Sequence, residues 1–251
     1  MCEILLAVWS DPEPAPTVLD WAGRLERFGL GGFGWGIAWL EGGRIVAHRF
    51  PGRLDEDARG ASQLSSVRST RYLVHLRRPS QLSTIQLADT QPFVDAEAGL
   101  AFAHNGRFDR AEEMRGRFAG RLFGRADSEV GFQLFASLRA QGVSPRAALV
   151  ATHRELEGSA NLALLPATGT PLIYHGAPAN QVWRFRLDGA EVATTGLHSS
   201  DEALFDLCFP DALGRRRLMP AEVAEVVRAD GDQAEGPIPR PAVSNLGPAS
   251  S

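Results

Sequence analysis

Cys2 is the residue with the most chemistry within reach. It follows Met1, and removal of that methionine would leave one residue carrying both a thiol and an α-amine. An α-amine titrates near ~8, so much of it can accept a proton at neutral pH. Nucleophile and base would then come from a single residue. The structural alternative is a small apolar side chain on a buried first strand. Arg77 ends the run YLVHL; its planar guanidinium suits a bidentate clamp on a carboxylate, or it is a solvated surface charge. His104-Asn105-Gly106 follows the run GLAFA. Asn-Gly is a strong turn signal, so the spacing predicts a hairpin turn. Such a turn could also aim a backbone N–H and the Asn105 amide at a developing oxyanion. Asp127 opens a helix starting at Ser128, where it reads as an N-cap or as an anionic contact for a substrate ammonium.

The elements that must position these groups follow from apolar periodicity. Glu3 to Val8 is a short apolar run and predicts a buried strand. Residues 17–28 carry helical spacing, and the glycines at 29–32 end it. Residues 35–40 and 44–48 predict a hairpin about Glu41-Gly42-Gly43. A polar helix is expected over 55–67, and strands over 72–76 and 99–103. Residues 128–141 and 145–157 predict two helices, with Pro145 where a helix start tolerates it. Strands return at 161–165, 172–175, 182–187 and 191–194. This order suggests two sheets with helices packed outside, an α+β layered fold. Residues 1–235 read as one domain, and the Pro-, Gly- and Ser-rich stretch 236–251 as a disordered tail.

Gly29-x-Gly31-x-x-Gly34 matches a dinucleotide fingerprint in letters but not in context, because a helix precedes it and a strand follows. These glycines read instead as a tight connection beside a pocket. The six histidines show no metal-ligand spacing and Cys208 lies in an apolar run, so no metal is expected. A net charge of −4 argues against a nucleic-acid partner. No apolar stretch of ~18 residues suggests a membrane span, and the N-terminus lacks the basic start of a signal peptide. With two cysteines and no disulfide framework, a cytoplasmic location is expected.

Taken in order, Met1-Cys2, Gly34-Trp35-Gly36, His75-x-Arg77-x-x-Ser80, Gln91-Pro92-Phe93, Phe102-Ala103-His104-Asn105-Gly106 and Asp127-Ser128-Glu129 resemble the class II glutamine amidotransferases, which are N-terminal nucleophile hydrolases. The resemblance spans residues 1 to about 130 by motif. It implies a four-layer αββα sandwich. It implies Cys2 as nucleophile with its α-amine as base, and Asn105 and Gly106 as the oxyanion hole. Arg77 would clamp the glutamate α-carboxylate with Ser80 nearby, Asp127 would hold the α-ammonium, and His104 would line the substrate site. It implies a small-molecule substrate, glutamine or a γ-glutamyl amide, and no cofactor. The small stand-alone branch of the family, γ-glutamyl hydrolases of the ergothioneine-pathway type among them, is the nearest likeness. A glutaminase subunit serving a separate synthetase partner, and a non-catalytic regulatory protein that keeps the fold, are the alternatives. Two departures stand out: Phe33 precedes Gly-Trp-Gly where the family has Asp or Asn, and Asp89-Thr90 precedes Gln91 where relatives often carry Asn.

Overall fold

The apolar run after Cys2 builds the central strand β1 (Glu3–Pro14), longer than its apolar part because a register shift between Val8 and Glu13 lets pairing resume. The computed structural model describes residues 2–29, 31–197 and 202–227. Helix α1 (Ala15–Phe28) follows, then the hairpin β2 (Trp35–Glu41) and β3 (Arg44–Phe50). The polar helix expected over 55–67 is shorter: a 3-10 turn, then α2 (Ala58–Leu64). The reason is local, since the Asp57 carboxylate accepts the Gly60 N–H at 2.8 Å and caps the helix there. The strands β4 (Arg68–Leu76), β5 (Phe93–Asp95) and β6 (Leu100–Arg107) come next. Three helices follow: α3 (Ala111–Arg115), α4 (Asp127–Ala140) and α5 (Pro145–Leu156). The chain returns through β7 (Ser159–Pro166), β8 (Leu172–Gly176), β9 (Val182–Leu187) and β10 (Ala190–Thr195). It ends in α6 (Glu202–Cys208), β11 (Leu213–Arg217) and β12 (Val223–Glu225). The stretch 236–251, expected as a tail, lies outside the described residues. Among the described residues no helix is long and apolar enough to cross a membrane.

The strands form two antiparallel sheets, ordered β11-β9-β10-β1-β4-β2-β3 and β12-β8-β7-β6-β5. One core, with Trp9, Trp21, Tyr72, Phe185 and Phe209, fills the outer face of the larger sheet under α1 and α6. A second, with Phe102, Phe135, Leu149 and Leu162, lies between the smaller sheet and α4 and α5. The third lies between the sheets and is lined by Ile4, Leu6, Leu73 and the small residues Ala101, Ala103, Ala163 and Ala193. Four layers result, the αββα sandwich the sequence motifs imply.

Strand alternation then decides which groups can meet. On β1, Leu5 and Ala7 face the outer core, while Ile4 and Leu6 face the inter-sheet core. On β6, Phe102 faces outward and Ala101 and Ala103 inward. Cys2 therefore shares the parity of Ile4, and Asn105 that of Ala103: both belong to the faces the sheets turn toward each other. Ala101, Ala103 and Ala163 of the smaller sheet and Ala193 of the larger one face that gap. Ala103→Leu should cost ~1–3 kcal/mol by overpacking it, read as a lower midpoint in urea unfolding; an unchanged midpoint would show the gap to be slack.

The start of β1 is tied to β10 by a buried polar cluster. The Thr195 hydroxyl accepts the Ile4 N–H at 2.9 Å and bonds the Glu3 carboxyl. Burial pushes the Glu3 carboxyl up to about 7, against hydrogen bonds from Thr195 and the Leu197 N–H. In the unfolded chain this group ionises near its ordinary 4.5, so between those values the unfolded state binds fewer protons. Glu3 thus weakens the fold as pH rises through that window. Glu3→Gln should match the native protein near pH 4 and exceed it by about 3 kcal/mol at pH 8. Thermal unfolding across that range measures the difference, and a constant offset would refute the linkage.

Candidate active site

One cleft of about 660 Å³ gathers Cys2, Arg77, Ser80, His104, Gly106 and Asp127. They arrive from separate elements: Cys2 just before β1, Arg77 just past β4, His104 and Gly106 on β6, and Asp127 at the head of α4. Asn105 sits between His104 and Gly106, fully buried.

Cys2 is half-buried and forms no disulfide. Its Sγ accepts the Arg78 N–H at 3.4 Å and lies 3.6 Å from the Arg78 carbonyl oxygen. Burial pushes the thiol up, while the Arg78 N–H and the Arg77 charge pull it down. A thiol held above its ordinary range needs a base before it can attack. Two buried histidines nearby are engaged elsewhere. Burial and the Arg77 charge lower His75 to about 3, so its ring is neutral, and Nε2 donates to the His104 carbonyl at 3.1 Å. Burial also lowers His104, whose Nδ1 lies 2.9 Å from the Ser128 hydroxyl while the ring stacks on Phe108 at 4.0 Å. His104 thus lines the cleft yet makes its observed contacts with protein groups.

Arg77 is buried, and its backbone is fixed by the residues leading into β2: its N–H donates to the Gly34 carbonyl at 2.7 Å and its carbonyl accepts the Phe33 N–H at 3.2 Å. A side chain at Gly36 would meet the Gln91 carbonyl at 2.3 Å, so glycine there lets the Gln91 loop close on the strand. One guanidinium nitrogen donates to the Thr84 hydroxyl at 2.7 Å, and NH1 is buried without a hydrogen-bond partner. An unpaired buried guanidinium nitrogen costs ~1–3 kcal/mol or more, and an anion entering the cleft would satisfy it. Burial weakens its charge, while Cys2, Asp89 and Asp127 favour it. The hydroxyl on Arg77 is thus Thr84, buried, whereas Ser80 is exposed at the cleft wall. Thr84 is missed in sequence because it lies in an irregular loop with no periodicity to mark it.

Two local readings are corrected. Asn105-Gly106 is not a hairpin turn: β6 runs through both, paired with Asn161 and Ala160 of β7. The turn signal is overridden because a full partner strand is available. Gly106 takes φ 138° and a side chain there would meet the Ser159 carbonyl at 1.8 Å, so the position requires glycine for closeness rather than for reversal. Nor is Asp127 an N-cap; it is the first residue of α4, and Ala126 takes the capping position. Its carboxylate accepts the Phe108 N–H at 2.8 Å and its helix neighbour's N–H at 2.9 Å, joining β6 to α4 at the rim of the cleft.

The Asn105 side chain is buried with its oxygen accepting from Asn180 at 2.8 Å, and its Nδ2 has no hydrogen-bond partner. That leaves a side-chain donor beside Gly106. The segment leading to Asp127 is held by two buried carboxylates. Asp89 accepts the Arg125 and Ala126 N–H groups at 2.7 and 2.6 Å, and Glu129 accepts those of Phe123 and Gly124, both at 2.8 Å. Gly124 is needed because a side chain would meet Asp89 at 2.1 Å. Among the described residues no group of three or more His, Cys, Asp or Glu could hold a metal ion.

Cys2, the open Arg77 guanidinium and the Asp127 carboxylate line one cleft, and the open Asn105 amide donor lies buried beside Gly106. The family described as "Glutamine amidotransferases class-II" matches residues 1–184. The glutamine phosphoribosylpyrophosphate amidotransferase from B. subtilis, complexed with ADP and GMP, is similar with TM-score 0.67 and 21% identity, over 88% of this chain and 46% of that one. A structure described as the allosteric regulatory enzyme of purine biosynthesis gives 0.68 and 20%, with the same coverage. A glutamine aminotransferase class-II domain protein from Silicibacter pomeroyi gives 0.58 and 16%, over 90% of this chain and 100% of that one. The chain spans less than half the length of the first two. None of the curated proteins matches. The structural likenesses bear on the fold, and the match over most of the sequence settles the family: the chain belongs to the class II glutamine amidotransferases.

Proposed function

We propose that the protein hydrolyses the γ-amide of glutamine or of a γ-glutamyl conjugate through a thioester on Cys2. The observation that carries this is the buried Arg77 with an unpartnered NH1, set in one cleft with Cys2 and Asp127. Arg77 takes the α-carboxylate and Asp127 the α-ammonium, which leaves the γ-carbonyl to meet the sulfur. With Met1 removed, the Cys2 α-amine accepts the thiol proton as sulfur attacks. The oxyanion is held by the Asn105 amide and the Gly106 N–H. The carbon–nitrogen bond breaks as the α-ammonium gives its proton to the departing amine. Water then adds to the thioester, releasing glutamate and restoring the thiol. A base other than histidine suits a site where burial holds His75 and His104 toward the neutral form and makes them weak bases.

A second reading, a glutaminase that passes ammonia to a separate synthetase, draws on the two relatives that are about twice as long. Under it, glutamine turnover rises sharply on addition of the partner.

Intact mass before and after treatment with a glutamine-like diazoketone tests the site. Loss of Met1 and a single adduct are expected, absent in Cys2→Ala and prevented by excess glutamine. Protein lacking Met1 that is neither labelled nor active on any γ-glutamyl amide would sink the proposal. A kinetic prediction concerns the carboxylate behind Asp127. Asp89→Ala frees the Arg125 and Ala126 N–H groups and should raise KM for glutamine about tenfold or more, equivalent to ~1–2 kcal/mol, with a smaller effect on kcat. Steady-state kinetics decide it, and an unchanged KM would remove Asp89 from the binding apparatus.

A further inference from the structure

The oxyanion donor proposed on Asn105 has a directional problem. A side-chain amide is an oxygen acceptor on one side and a nitrogen donor on the other, so turned over it would present oxygen to a developing negative charge. The surroundings of Asn105 settle which way it faces. Its Oδ1 accepts from Asn180 Nδ2 at 2.8 Å. Asn180 is itself an amide and could in principle turn, but its Oδ1 accepts the Gly196 backbone N–H at 3.1 Å. A backbone N–H only donates, so it demands the oxygen of Asn180 and turns the nitrogen toward Asn105. Asn105 must then offer oxygen to Asn180, and its own nitrogen is left facing away.

The Asn180 backbone is anchored with the same logic. Asn161 Oδ1 accepts the Gly176 and Ala177 N–H groups, each at 3.2 Å, which sends its Nδ2 to the Asn180 carbonyl at 2.7 Å. Asn105, Asn161 and Asn180 are all buried, with no more than 1% exposure, so protein groups and not bulk solvent set their orientation. The arrangement also spans the layers: Asn180 follows β8 of the smaller sheet, and Gly196 follows β10 of the larger one.

We propose that Asn180 is a positioning residue for the reaction: it reads the fixed polarity of the Gly196 N–H and transmits it to Asn105, so that the oxyanion site receives N–H and not C=O. This rests on the reading of Asn105 as an oxyanion donor. Asn180→Asp keeps the shape and replaces the donor with an acceptor. Asn105 must then turn its nitrogen toward residue 180 and its oxygen toward the substrate.

The test is a double-mutant cycle on glutamine or γ-glutamyl amide hydrolysis, with Asn180→Asp, Asn105→Ala and the double variant, each checked by thermal unfolding. Asn180→Asp should lower kcat by ~10²–10³ with KM little changed. Asn105→Ala should lower kcat similarly, and the double variant should be no slower than Asn105→Ala alone. Asn180→Ala removes the donor without adding a charge and should fall between native and Asn180→Asp, which keeps the test open if the aspartate variant folds poorly. Unaltered kcat in a folded Asn180 variant, or losses that multiply in the double variant, would overturn the positioning role. Native kcat in Asn105→Ala, with Cys2→Ala inactive, would instead overturn the oxyanion reading and the proposal with it.

Discussion

Everything at this site depends on how closely two sheets approach. The proposed nucleophile, Cys2, precedes the central strand of one, and the proposed oxyanion donors belong to a strand of the other. No local loop geometry can bring them together; only the packing of the inter-sheet core can. Ala101, Ala103 and Ala163 of the smaller sheet line that core opposite Ile4 and Leu6 of the larger one, where Ala193 sits beside Leu6. Close-packed interiors transmit small changes of volume as displacement, so a methyl group too many in this layer acts at the reacting atoms. The outer cores can be large and aromatic, with Trp21, Tyr72 and Phe135, because nothing reactive lies beneath the helices they support.

The remaining groups are brought in by buried polar contacts that fix backbone rather than substrate. Asp89 and Glu129 accept four successive N–H groups of the segment before Asp127. A carboxylate is suited to this because it is an acceptor on all sides, whereas an amide would turn its own N–H toward one of the donors. The Arg125 and Ala126 N–H groups both reach Oδ1 of Asp89, and Oδ2 accepts from Gln86 Nε2 at 2.7 Å, so both carboxylate oxygens are bonded. The negative charge of Asp89 is offset by those hydrogen bonds and by Arg77, whose charge it favours in turn. One buried carboxylate thus serves both ends of the proposed glutamate-binding site.

Much of this was legible in sequence. Apolar runs of period two or 3.6 located β1, the β2–β3 hairpin, α4, α5 and the four strands after Gly158, because each element buries one or both faces in a continuous core. The ordered motifs located Cys2, Arg77, Asn105, Gly106 and Asp127. What escaped was set by tertiary partners. Asn105-Gly106 carries a turn signal that β7 overrides by pairing with it. Thr84 and Asp89 lie in short 3-10 turns with no periodicity, and their importance comes from Arg77 and from residues 125 and 126, distant in the chain. Asn180 is one more polar residue in a turn-rich stretch until Asn105 and Gly196 are seen on either side of it.

The same accounting bears on why the proposed substrate is a γ-glutamyl group and not amides at large. Among the buried polar atoms of the described site that lack hydrogen-bond partners are the donors Arg77 Nη1 and Asn105 Nδ2. A folded protein keeps such groups at a cost of ~1–3 kcal/mol each. On the proposed reading the first is satisfied by the α-carboxylate in the bound state and the second in full only by the oxyanion of the tetrahedral intermediate. A simple amide would leave Arg77 NH1 unsatisfied while still being asked to enter a cleft lined by Arg77 and Asp127. Sites built to bond a polar group reject analogues lacking it far more strongly than apolar pockets reject a missing methylene. On the proposed reading the unpaired guanidinium would act as the filter for the γ-glutamyl end, and the unpaired amide as stabilisation reserved for the transition state.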